Sequence, residues 1–392
     1  MGQVLYNPTR VAEAMDEAGL DALLAVTAPN VQYLTRFRRA GSGLALVRRS
    51  DLTQPELYVS VSNISFVLED PLEALVVRPF GRFYRNFAQN GELSEREEAL
   101  KRMHESTCED KSAWELIAAS LAESGLQNGA IGVDGTVDSA AQLQVLLPNS
   151  RIKSMPDLFR RLRMIKSPDE IARLAEAARV TEHAIITSAQ SAFLGATQRH
   201  LARVFSQTAI TANCFVRQDN ASIDGGSAFG NLNTPGDVVV DGSIIRYDVG
   251  VHYQGYASDI ARCFSFRTVR DKVRRYQDAL VAGQERMLEC IRPGAIPADI
   301  FHEVVKTVRR EGIPHFDRTH VGHGIGIAGA GYDLPNLAPN DETPLQPGMV
   351  LCVETPYVEV GFGGLQVEDM LVVTENGYQL LTHSERGIQV VP

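Results

Sequence analysis

Met349-Val350-Leu351-Cys352-Val353-Glu354-Thr355-Pro356 and, shortly after it, Gln366-Val367-Glu368-Asp369-Met370-Leu371-Val372-Val373 are two apolar runs that carry acids. Their length and composition read as buried strands. A carboxylate inside such a strand is costly unless it is paired. Glu354 projects from the end of the first run and Glu368 from the second, whereas Asp369 faces the other side of its strand. Taken singly, either Glu also fits a strand-end acid that reaches solvent.

Upstream, Gly322-His323-Gly324-Ile325-Gly326 sets one imidazole among glycines, which let backbone approach closely and leave His323 as a ligand or base. Further upstream, Asp248 follows the strand-like run Ser243-Ile244-Ile245-Arg246-Tyr247, and Asp259 follows Gly255-Tyr256-Ala257-Ser258. That spacing suits a hairpin that returns both acids to one end of a sheet, although two acids near a turn, taken alone, also fit a solvated pair. Four carboxylates and one imidazole embedded in apolar strands would be left mutually repelling without a cation, so a divalent metal centre is the simplest physical solution. Five such donors suit two ions, with Mn²⁺ expected and Co²⁺, Fe²⁺ or Zn²⁺ also matching the donor types.

The rest of the chain bounds the setting. Its 392 residues predict two domains. With 44% hydrophobic and 22% charged residues the composition is globular. A formal charge of −10 argues against nucleic acid as a partner. The basic run Arg160 to Lys166 reads as a solvated linker face. No apolar run is long enough for a membrane span and no leader pattern opens the chain, so a cytoplasmic setting is expected. Five cysteines without a CxxC pair read as reduced thiols, and Cys352 as a packing thiol.

The first half alternates helical and extended patterns: a helix from Pro8 to Ala18, strands near Asp21–Val26, Gly43–Val47, Glu56–Val61, Ala74–Pro79 and Ala130–Val133, and helices at Ser112–Glu123 and Ser139–Leu146. This is an α/β amino-terminal domain. The polar segment Gly81–Asp110 reads as loop or irregular helix. Ser167-Pro168-Asp169-Glu170 has the hydroxyl, proline and acids of a helix start, so a long helix should run to about Gln190. The boundary falls just before it, giving domains 1–165 and 166–392. Two helix–Gly turn–helix echoes, around Phe193–Thr197 and Arg292–Ile296, suggest a pseudo-symmetric α+β second domain.

The ordered set Asp248, Asp259, His323-Gly-Ile-Gly, Glu354-Thr-Pro-Tyr and Glu368-Asp369 resembles the metallopeptidase family of methionine aminopeptidase, aminopeptidase P, prolidase and creatinase. Gly19–Leu24, Pro29–Thr35 and the junction Lys166–Glu170 resemble the creatinase and prolidase branch, so the resemblance covers nearly the whole chain. It implies the α+β pita-bread catalytic domain and a homodimer. It also implies ligand roles: Asp248 on one ion, Asp259 and Glu368 bridging, His323 and Glu354 completing the second. Glu354 is the expected proton shuttle, and the expected reaction is hydrolysis of a small amide or an Xaa-Pro peptide bond. Alternatives are a non-peptidase relative acting on a small metabolite and a binding module without catalysis. Retention of all five donors argues against metal-free members.

Three positions depart from the peptidase pattern the resemblance sets. Asn231 and Ala330 stand where substrate-contacting histidines are expected, and Gln366 replaces an Arg. Arg246, on the strand face of Asp248, is a replacement cation that either grips a substrate carboxylate or pairs with a metal-site acid. His315 and His320 either line the pocket or cap its approach. Asn231, Arg246, His320 and Gln366 are therefore the expected substrate contacts, and the expectation is a poor general Xaa-Pro peptidase that prefers a small, anionic, amide-like metabolite.

Overall fold

A computed structural model describes residues 4–39, 41–88, 91–229 and 237–392. The chain divides into two compact units, Met1–Arg163 and Met164–Pro392.

In the first unit the six strands lie in the order Val76–Phe80, Asp51–Ser60, Gly43–Arg48, Ala22–Ala25, Ala130–Val133, Arg151–Ser154. The pairing is mixed: Ala22–Ala25 runs antiparallel to Gly43–Arg48 and parallel to Ala130–Val133. Its core joins Leu24, Leu46, Tyr58 and Ile131 from the sheet to Ile117 and Leu121 from helix Ala113–Glu123. One expectation is corrected here. Part of Gly81–Asp110 is an ordinary α-helix, Glu95–Glu105, started by a reciprocal Ser94–Glu97 capping box. It buries none of its residues, so no apolar stripe announces it.

The second unit is built on an antiparallel sheet whose main path runs Asp333–Asn336, Gly322–Gly324, Val350–Glu354, Glu368–Thr374, Ile260–Phe266, Ile244–Tyr253, Phe215–Ile223. Helix Pro168–Gln190 starts at a Ser167–Glu170 capping box, with Pro168 at the first helical position. Its small face, Ala177, Ala178, Thr181 and Ala184, packs against strand Ile244–Tyr253. Thr181 and Ser188 hydrogen-bond Ser258 (2.7 Å) and Tyr247 (2.8 Å). A second helix pair, Asp271–Cys290 and Pro297–Glu311, packs closely because Gly283 has no side chain to meet Val308, whose Cγ2 lies 2.3 Å from where a Cβ would stand. Each helix pair is followed by antiparallel strands, which is the repeat the two Gly turns suggested.

Candidate metal centre

Neighbouring strands of this sheet bring polar side chains to one face in two adjoining rows, one through His323 and Cys352 and the next through Glu354, Glu368, Ala261 and Asp248. His323 lies opposite Cys352, and Glu354 lies opposite Glu368. Ala261 is the register partner of both Glu368 and Asp248, so its methyl group forms a small floor between two carboxylates. Asp259 precedes Ala261 by two residues and points to the same face. The chain can fold this tightly here because residue 250 is glycine: a Cβ on Gly250 would stand 2.0 Å from the Ser258 carbonyl oxygen.

The acids converge. Asp248, Asp259 and Glu368 offer oxygens that all lie within 4.8 Å of one another, as do the donor atoms of His323, Cys352 and Glu368. His323 Nε2 is 3.9 Å from Asp259 Oδ2 and 3.9 Å from Glu368 Oε1. Gln366 Nε2 donates to Glu354 Oε2 at 3.1 Å and to Glu368 Oε2 at 3.3 Å. His320 Nε2 lies 3.0 Å from Glu354 Oε1.

Electrostatics show what this crowding costs without a cation. Burial, then the charges of Asp259, Glu354 and Asp248, push the Glu368 carboxyl well above its ordinary range. Asp248 is pushed up to about 6, chiefly by burial, with Arg246 opposing and Asp259 and Glu354 adding. Burial also raises Asp259, against the pull of Arg217. Burial drives the His323 imidazole down to about 4, which keeps it neutral. Glu354 is pushed up by burial, but the His320 hydrogen bond and nearby cations outweigh this and hold it below the usual value.

The donors present fit divalent cations. The Asp259 Oδ1 atom is buried with no hydrogen-bond partner among the described residues, an acceptor that lacks what it needs. His323 Nδ1 lies 3.1 Å from the Gly324 carbonyl, so a proton there leaves the Nε2 lone pair facing the acids. Cations placed among the carboxylates would also reverse the repulsion that raises their pKa values.

Behind the row, Asp369 accepts from Arg262 (2.6 Å), Arg386 (2.6 Å), Thr382 (2.9 Å) and Gln284 (3.0 Å). Arg262 also donates to the Glu368 carbonyl at 2.6 Å. This buried network fixes the strand that presents Glu368.

Other expected residues fall as follows. Arg246 is 4% exposed and reaches Asp248 Oδ2 at 3.4 Å. His320 is 27% exposed and lies at Glu354. His315 instead pairs with the Tyr357 hydroxyl at 2.8 Å. Ala330 lies on a loop between Gly329 and Gly331, both with positive φ. Asn231 falls outside the described residues. Three residues near the acids were not foreseen. Arg217 Nη1 is 2.7 Å from Asp259 Oδ2, and Gln218 Nε2 donates to Asp248 Oδ1 at 3.1 Å. Tyr332 stacks on the His323 ring at 3.5 Å and 13°.

Comparison with known proteins shows the family and the fold. Residues 9–165 match the creatinase/prolidase N-terminal domain. An Xaa-Pro dipeptidase of Lactobacillus helveticus is 24% identical over 291 residues, covering 72% of this chain and 78% of that protein. An uncharacterized peptidase of Staphylococcus aureus is 26% identical over 256 residues, covering 63% and 72%. In fold, the X-Pro aminopeptidase of Thermotoga maritima aligns with a TM-score of 0.78 at 20% identity over 98% of this chain and 99% of its own. The prolidase of Pyrococcus furiosus aligns with a TM-score of 0.71 at 21% identity over 95% and 99%. Residues 172–375, more than half of the chain, match the model of metallopeptidase family M24, and the chain belongs to that family.

Proposed function

We propose that this chain is a metal-dependent hydrolase of Xaa-Pro dipeptides and similarly small, carboxylate-bearing amides, with Asp248, Asp259, His323, Glu354 and Glu368 as ligands of two divalent ions. The observation that carries the reading is the convergence of Asp248, Asp259, His323 and Glu368, with Glu354 in register beside Glu368 and Asp259 Oδ1 without a partner among the described residues. The family match and the relative named as an Xaa-Pro dipeptidase support it. Residues 1–165 are then the amino-terminal domain and 166–392 the catalytic one. The oxygen-rich set suits Mn²⁺, Co²⁺, Fe²⁺ or Zn²⁺. A homodimer is what the resemblance implies, and a cytoplasmic setting is the expectation drawn from the sequence.

Two ions held there would polarise a carbonyl and acidify water. The residues do the remaining work. Glu354 Oε1, held by His320, takes a proton from the attacking water and passes it to the leaving nitrogen. Tyr332 is 47% exposed above His323, so its hydroxyl is a donor for the substrate carbonyl on a loop that has Ala330 in place of a histidine. Gln366 bridges Glu354 and Glu368 without adding charge, and Arg246 supplies the missing positive charge at Asp248. Arg217, with its side chain 24% exposed beside Asp259, is the cation that faces a substrate carboxylate.

The test is a panel of Xaa-Pro dipeptides, longer Xaa-Pro peptides, N-acyl amides and cyclic amides, run with each of the four metals. Turnover of free-carboxylate dipeptides, abolished by chelator, is expected. A fully metal-loaded protein that cleaves none of the panel overturns the reading.

A further inference from the structure

Cys352 is buried on the face of its strand turned toward the candidate metal centre. Its neighbours in sequence, Leu351 and Val353, both join the hydrophobic core of the second unit, and Cys352 points to the opposite face. There it is 0% exposed, in register with His323 and two residues before Glu354. Its sulfur lies with a His323 nitrogen and a Glu368 oxygen, the three within 4.8 Å of one another. Its hydrogen-bond contact is a long one, 3.7 Å to the backbone carbonyl of Asp259. A second observation points to a ligand at the same place. Asp259 Oδ1 is buried and unpartnered among the described residues, while the other oxygen of that carboxylate, Oδ2, lies 3.9 Å from His323 Nε2.

Sulfur and imidazole nitrogen on one tetrahedral ion lie about 3.6 Å apart, from bond lengths of about 2.3 and 2.0–2.1 Å. A small side-chain adjustment therefore closes the observed triangle onto an ion. We propose that Cys352 is a sulfur ligand on the His323 side of the centre, and that the centre consequently selects Zn²⁺, Co²⁺ or Fe²⁺ over Mn²⁺. The inference rests on the ligand assignment above. On binding, the thiol proton leaves to solvent and a sulfur–metal bond takes its place. Thiolate favours the softer ions of the divalent series, whereas an all-oxygen and imidazole set does not discriminate in this way.

The test uses the full chain loaded with Co²⁺ without oxygen. Wild type should show visible d–d bands together with a near-ultraviolet sulfur-to-cobalt charge-transfer band. Cys352→Ser should keep the cobalt and the d–d bands but lose the charge-transfer band, and its preference for Zn²⁺ over Mn²⁺ in competition should fall at least about tenfold. Cys290→Ser, remote from the row, should keep every band. Cobalt-loaded wild type with d–d bands and no charge-transfer band overturns the proposal, as does a band that survives in Cys352→Ser. Absence of bound cobalt by elemental analysis overturns the metal centre itself, a distinct result. Should the variant fail to fold, the wild-type spectrum still decides.

Discussion

Glu354 is held at both oxygens, by His320 on one and Gln366 on the other, so its position does not depend on its charge. Glu354→Gln keeps the shape and an acceptor oxygen for His320 while removing the capacity to carry a proton. Turnover should fall by about 10²–10⁴ with the fold intact. Steady-state kinetics beside elemental analysis checks this, and near-normal turnover with full metal content would remove Glu354 from proton transfer. That Asp248, Asp259, His323 and Glu368 come together, with Glu354 beside Glu368, was legible in the sequence because acids and an imidazole inside apolar strands are costly unless paired. Arg217, Gln218 and Tyr332 were not. Arg217 lies where the pairing of Phe215–Ile223 with Ile244–Tyr253 slips between Val216 and Gln218, and such a bulge re-aims side chains without leaving a sequence period. Tyr332 reaches His323 from a glycine loop whose path no local pattern encodes.

At the scale of elements, the start of helix Pro168–Gln190 was fully readable, since Ser167, Pro168 and Glu170 each do a known job there. Burial was not readable, and it gives Glu170 a second property. Its carboxyl receives the Ser167 N–H at 2.8 Å and the Tyr256 hydroxyl at 3.1 Å, and burial pushes its pKa from 4.5 up to about 7 against these bonds and Lys166. The folded chain therefore keeps a proton that the unfolded chain releases between pH about 4.5 and 7. This stabilising contribution is complete below the lower value and disappears as pH rises through the upper one. The stability of wild type minus that of Glu170→Gln, from urea unfolding, should fall by up to ~3 kcal/mol across this window. A difference that does not change with pH would show that Glu170 is ionised throughout. Helix Glu95–Glu105 teaches the converse lesson: capping chemistry alone specified it, while periodicity said nothing.

At the scale of the molecule, all five donors lie in Met164–Pro392, and the single tryptophan, Trp114, lies in Met1–Arg163. Stripping the ions should lower the stability of the second unit alone. For ions at about 100–1,000 times their dissociation constant the loss is about 2.7–4.1 kcal/mol, or a melting shift of roughly 5–15 °C for a unit of this size. Calorimetry with and without chelator reads that shift, while Trp114 fluorescence should report an unchanged midpoint for the first unit. Equal shifts in both signals would mean that the units unfold together. The expected boundary at residue 165 rested on chain length and on the helix start at Ser167, and the division of the structure falls nearby, between Arg163 and Met164.

The arrangement of the donor row bears on when, during folding, an ion can be captured. Asp248, Asp259, His323, Glu354 and Glu368 sit on or beside separate strands, and their sequence spread means that no short segment holds three of them. A zinc finger recruits its metal with a few local turns and folds around it. Here the long-range strand pairings must form first, a slow step because distant segments must meet before any contact rewards them. Metal capture at the proposed donor set would thus be a late event in the life of a nascent chain. It would act as a latch on a finished sheet rather than a seed for it, and partly translated chains should compete poorly for scarce ions.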